Sequence, residues 1–124
     1  MTDTPLRQRL KEALPTAMKA RDRPATAALR ATLAAIDNAE AVPTGGGGAQ
    51  GSLAIETLPV GIGVNEVARR VLTEQDVERI VRAEAGEREQ AAAEYAELGH
   101  PERAEQLRAE ASVLMGHLNE GASA

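Results

Sequence analysis

Apolar residues recur every three to four positions in four stretches of this chain, with polar and charged residues between them. That is the periodicity of amphipathic helices packed by one face. Residues 4–21 make the first stretch, where Leu6, Leu10, Ala13, Leu14, Ala17 and Met18 share a stripe. Pro5 suits a first turn. Pro15 removes a backbone donor and crowds the carbonyl of Lys11. A kink there, or a division into two short helices, is expected. Asp22-Arg23-Pro24 opens a second helix, with Asp22 as its cap and the proline near the first turn. This helix runs to about Ala41, with Ala25, Leu29, Leu33 and Ile36 on one face. Two helices joined by so short a turn are most simply antiparallel neighbours.

The pattern is lost over residues 42–72. Val42-Pro43-Thr44 ends the second helix, and residues 45–52 have the composition of a flexible linker. The glycines there raise the idea of a phosphate cradle. The run lacks the Gly-Lys-Ser/Thr ending of a P-loop, and Gly61-Ile62-Gly63 lacks the third glycine of a dinucleotide fingerprint. A disordered loop is the simpler reading.

Periodicity returns at Thr73-Glu74-Gln75-Asp76, where Thr73 can cap and the acids complement the helix dipole. Val77, Ile80, Val81, Ala91, Tyr95 and Leu98 form the stripe of this third helix, interrupted midway by Glu84 and Arg88. Tyr95 reads as a core residue with its hydroxyl at the surface. Gly99 is a natural left-handed stop, and His100-Pro101-Glu102 starts a fourth helix. Its apolar positions, Ala104, Leu107, Ala111, Leu114 and Leu118, alternate three- and four-residue steps. That spacing is the seam of an antiparallel pair. Residues 119–124 are expected to fray. The predicted fold is one all-α domain over residues 1–124, with four main helices in two antiparallel hairpins joined by a long Gly-rich loop.

Composition narrows the function. There is no cysteine, which excludes thiolate catalysis, disulfides and Cys-type metal sites. One tyrosine is the whole aromatic content, too little for a base-stacking platform. No apolar run approaches a membrane span, and the first residues lack a signal-peptide core, so a cytoplasmic protein is expected. The net charge of −5 is unevenly placed: residues 1–30 carry seven Lys/Arg against three acids, a local +4, and the remainder carries −9.

Candidate chemistry is sparse. Ser52 lies in the linker and Ser112 on the fourth helix, neither beside a plausible base. His100 and His117 do not form a metal-ligand pair, and His117 suits a role near a helix C-terminus. Neither a catalytic residue nor a cofactor is called for. Glu87, Glu94, Glu97, Glu105 and Glu110 read as a solvated face. Glu84 and Arg88 read as an i,i+4 ion pair at a wet part of the seam, or else as a polar site between the hairpins. Lys19, Arg21, Arg23 and Arg30 cluster near the first turn. They form either a phosphate-contacting patch, with Asn38 and Glu40 supplying orientation, or a solubilising helix end paired with Asp22 and the acidic half.

Several stretches in order resemble the YqeY-like family, which carries the GatB/YqeY domain. They are Ala17-Met18-Lys19-Ala20-Arg21-Asp22, Leu29-Arg30 with Leu33, Ile36 and Asn38-Ala39-Glu40, and Leu72-Thr73-Glu74. Glu87-Arg88 through Glu94-Tyr95 to Leu98-Gly99, and residues 102–114, continue the match. The resemblance implies an all-α domain linked to tRNA-dependent amidotransferases, whose activity is carbon–nitrogen ligation with glutamine as amido donor. Against longer members this chain reads as a short form without the C-terminal tail-like domain. The expected function is a non-catalytic helical module with tRNA or an amidotransferase-type protein as partner. The alternative is a structural homodimer or protein-interaction domain with no RNA role.

Overall fold

The computed structural model describes residues 4–41 and 71–122, and these form four α-helices with no strand among the described residues. The helices are α1 (Leu6–Lys19), α2 (Arg23–Ala41), α3 (Glu74–Glu97) and α4 (Pro101–Ala122). The loop expected over residues 42–72 lies outside the described residues up to residue 70. Its last two residues differ in character: Val71 is exposed, and Leu72 packs half-buried against the core. At the other end α4 continues as helix to Ala122, through four of the positions expected to fray.

Local chemistry sets the helix ends. Asp22 Oδ1 accepts the Ala25 N–H at 3.1 Å, the expected cap of α2. Thr73 and Asp76 form a reciprocal capping box, each side chain accepting the other's backbone N–H at 3.0 Å. Both α1 and α3 end in the same motif. The Asp22 N–H reaches the Ala17 carbonyl at 3.0 Å and the Arg21 N–H reaches Met18 at 3.1 Å. On α3, the His100 N–H reaches Tyr95 at 2.9 Å and the Gly99 N–H reaches Ala96 at 3.1 Å. These paired bonds are Schellman closures. The left-handed residue is Gly99 in one and Arg21 in the other.

The core joins Leu6, Leu10 and Ala17 of α1 to Ala25, Ala28, Leu29 and Ile36 of α2, Val77, Val81 and Ala85 of α3, and Ala111, Leu114 and Leu118 of α4. Alanines at the contacts bring backbones close, and burying the larger aliphatic side chains contributes about 1.5–3 kcal/mol each. The whole predicted stripe of α4 is buried. A second, smaller cluster of Ala92, Ala104 and Leu107 lies farther along α3 and α4, with no residue of α1 or α2 in it. Polar staples complete the packing of α1. The Leu6 N–H donates to Glu74 Oε2 at 2.9 Å, and Arg9 Nη1 donates to the His117 carbonyl at 2.7 Å.

Four expectations are corrected. Of the alternatives at Pro15, division into two short helices does not occur, since α1 runs through it as one helix; Pro15 and Lys11 lie on its exposed face, where water can serve the carbonyl left without a donor. Met18 is 47 % exposed, because α1 buries Ala17 at its last turn instead. Tyr95 and Leu98 are 37 % and 70 % exposed: beyond Ala85 helix α3 packs on α4 alone, and Ala92 takes the inward position. Glu110, expected on a solvated face, is 5 % exposed.

Candidate functional site

The turn between α1 and α2 builds a basic cleft. Arg21 occupies the left-handed position of the Schellman closure with φ +58°, where glycine is the usual residue. This projects a long cation from the tightest point of the turn. One helical turn into α2, Thr26, Ala27 and Arg30 follow Arg23 along the exposed face, and Met18 closes the other side. Met18, Arg21, Arg23, Thr26, Ala27 and Arg30 line an open surface depression of about 500 Å³. Arg30 Nη2 lies 3.8 Å from Met18 Sδ, so the thioether and one guanidinium share a wall.

The electrostatics of this cleft are one-sided. Among the described residues none of Lys19, Arg21, Arg23 and Arg30 is in an ion pair. Asp22, the nearest acid in sequence, directs its Oδ1 to the Ala25 N–H instead. Lys19 is exposed on the last turn of α1, outside the lining. The structure therefore brings together Arg21, Arg23 and Arg30, with Lys19 at the margin. Met18 and Thr26 join them, unanticipated from sequence; Met18 had been assigned to the core stripe.

Asn38 and Glu40 are not part of this cluster. From Arg30 to Glu40 the rise along a helix is about 15 Å. Asn38 is exposed there, and Glu40 holds Arg7 of α1 through two bonds of 3.1 Å, with Asp37 adding a third at 2.6 Å. The hydrogen bonds to Glu40 and then Asp37 raise the Arg7 pKa above the ordinary arginine value, against a smaller opposing effect of burial.

A second polar cluster sits between α3 and α4. Arg88 donates to Glu84 at 2.9 Å and to Glu110 at 2.8 Å, and Gln106 donates to the other oxygen of Glu110 at 3.0 Å. Burial pulls the Arg88 pKa down, and its bonds to Glu110 and Glu84 more than offset that, leaving it raised. The Glu84–Arg88 pair was legible from sequence. Glu110 was missed, although it stands three residues beyond Leu107, on the edge of the buried stripe.

The remaining candidates are scattered. Ser112 is exposed on α4, His100 stacks edge-on against Tyr95 with ring centroids 6.0 Å apart, and His117 Nδ1 lies 3.7 Å from Glu120. Among the described residues no group of three or more His, Asp or Glu is placed to hold a metal ion. No helix among them is long and apolar enough to cross a membrane. In comparisons with known proteins, no family model, curated protein or solved structure matches the chain.

Proposed function

We propose that this chain is a non-catalytic, YqeY-like helical module built as two antiparallel hairpins. In this reading it binds a tRNA-type polyanion through the cleft at the α1–α2 turn, in the setting of glutamine-dependent tRNA amidation. The observation that carries the proposal is the cleft itself: three arginines around about 500 Å³, none in an ion pair among the described residues. Guanidinium groups bind phosphate oxygens in pairs. Cations left without carboxylates need no internal bond broken before they do so. Met18 and Arg21, from the stretch Ala17-Met18-Lys19-Ala20-Arg21-Asp22 that carries part of the family resemblance, line this cleft.

Fluorescence anisotropy with labelled tRNA tests the reading. Binding that persists near physiological salt and is lost in the triple variant Lys19→Ala, Arg21→Ala, Arg30→Ala is the expected result. For three neutralised phosphates the affinity should fall about 40-fold between 50 and 200 mM salt. Binding that ignores the variant overturns the reading and leaves a protein-interaction module without an RNA role.

A further inference from the structure

The far end of the α3–α4 pair carries the features opposite to those of the cleft. Its buried residues, Ala92, Ala104 and Leu107, cluster only with one another and with Ala91. The distal turns thus have a small core of their own, to which α1 and α2 contribute no residue. At its tip Leu98 is 70 % exposed and Tyr95 37 % exposed. A scattered surface leucine is ordinary, but the backbone that carries this one is set by a hydrogen-bonded turn. The Schellman closure fixes the turn on both sides of it, and the Arg103 guanidinium lies 5.8 Å from the Tyr95 ring centroid. Around the tip Glu94, Glu97, Glu102 and Glu105 are exposed, with Arg103 as the one exposed Lys or Arg among residues 94–105.

We infer that the acidic α3–α4 tip of one chain docks into the basic α1–α2 cleft of a second copy. Each surface supplies what the other lacks. The tip offers an exposed apolar side chain on a hydrogen-bonded turn, inside a net negative rim. The cleft, an open surface depression, offers Met18 and Ala27 beside Arg21, Arg23 and Arg30. A backbone already ordered by its own hydrogen bonds lowers the ordering cost of such a contact. The opposite charges fix its orientation and make it sensitive to salt. The tip and the cleft share no lining residue, and no hydrogen bond or ion pair among the described residues joins them. The contact is therefore heterologous: a docked pair still presents one free tip and one free cleft, so assembly continues head to tail or closes into a ring. This inference uses the shape and charge of the cleft and does not depend on RNA binding.

The test is sedimentation velocity on the full chain across a concentration series, at about 50 and 500 mM salt. The expected result is reversible self-association that weakens at least tenfold at the higher salt. A tip variant, Leu98→Ser, and a cleft variant, Arg21→Glu with Arg30→Glu, should each weaken it at least tenfold. Helical circular dichroism should be retained, since these side chains are exposed. Mixing the two variants should restore a one-to-one dimer, because the intact tip of the cleft variant meets the intact cleft of the tip variant. A wild-type chain that stays monomeric throughout overturns the inference. So does association untouched by Leu98→Ser, or a mixture of folded variants that remains monomeric. None of these outcomes involves tRNA, so the proposed RNA role stands or falls separately.

Discussion

Arg88 on α3 donates from Nε to Glu110 Oε1 on α4 at 2.8 Å, tying the two helices together where their side chains are only 13 % and 7 % exposed. The pair lies between the main core, with Ala85 and Ala111, and the small distal cluster, with Ala92 and Leu107. Removing one member strands the other. Arg88→Ala should destabilise the protein by about 3 kcal/mol, because Glu110 then keeps a buried charge with Gln106 as its remaining side-chain partner. Glu110→Leu should cost less, since Arg88 retains Glu84 at 2.9 Å. The double change Arg88→Met with Glu110→Leu should return to within about 1 kcal/mol of wild type, or exceed it. Urea unfolding of the three variants checks this, and a double variant as unstable as Arg88→Ala would show that packing rather than charge dominates.

Arg21 has φ +58° at the left-handed position of the α1–α2 turn. A residue with a Cβ is strained there by about 1–2 kcal/mol, part of which glycine would return as extra freedom of the unfolded chain. Arg21→Gly should therefore stabilise the fold by about 0.5–1 kcal/mol while weakening polyanion binding. Thermal unfolding together with the tRNA titration measures both. Opposite signs are expected; a loss of stability would mean that the arginine makes contacts that outweigh its strain.

The parts of the fold that were legible in sequence are those set by local rules. Asp22 and Thr73 cap as their side chains allow, Gly99 stops α3, and the α4 stripe is buried throughout because it has a partner along its whole length. An apolar stripe does not reveal where its partner ends, so Tyr95 and Leu98 read as core although α3 outruns α1 and α2 there. A glutamate's charge suggests solvent until the arginine opposite it is known, which hid Glu110. Asn38 and Glu40 were grouped with the basic patch by closeness in sequence, but a straight helix separates residues ten apart by about 15 Å. Arg21, Arg23 and Arg30 were legible as a group because they flank a single tight turn.

Thr32 is fully buried on α2, and its Oγ1 has no hydrogen-bond partner among the described residues. A buried hydroxyl without a partner carries a desolvation penalty of about 1–3 kcal/mol. Valine keeps the branched shape, has similar helix propensity and removes the polar atom. Thr32→Val should raise stability by about 1 kcal/mol, read as a higher urea midpoint at unchanged slope. A lower midpoint would show that the hydroxyl is satisfied in solution.

Arg7 bridges α1 to the C-terminal turn of α2 through Glu40 and Asp37, with its side chain 22 % exposed. Loss of this staple in Arg7→Ala should cost about 1 kcal/mol, since Asp37 is well exposed and solvent screens its share. The folded-state pKa of Arg7 is raised, first by the bond to Glu40 and then by that to Asp37. The sign follows directly: the stabilisation is fully present below the ordinary arginine value and is lost only as pH rises through the raised one. The stability difference between wild type and Arg7→Ala should therefore be flat from neutral to moderately alkaline pH. In the same variant tRNA affinity should be unchanged, because Arg7 and Glu40 lie apart from the cleft. Urea unfolding across that pH range, with a parallel anisotropy titration, checks both. A loss of binding equal to that of the cleft variant would mean that the staple end of α2 belongs to the binding surface after all.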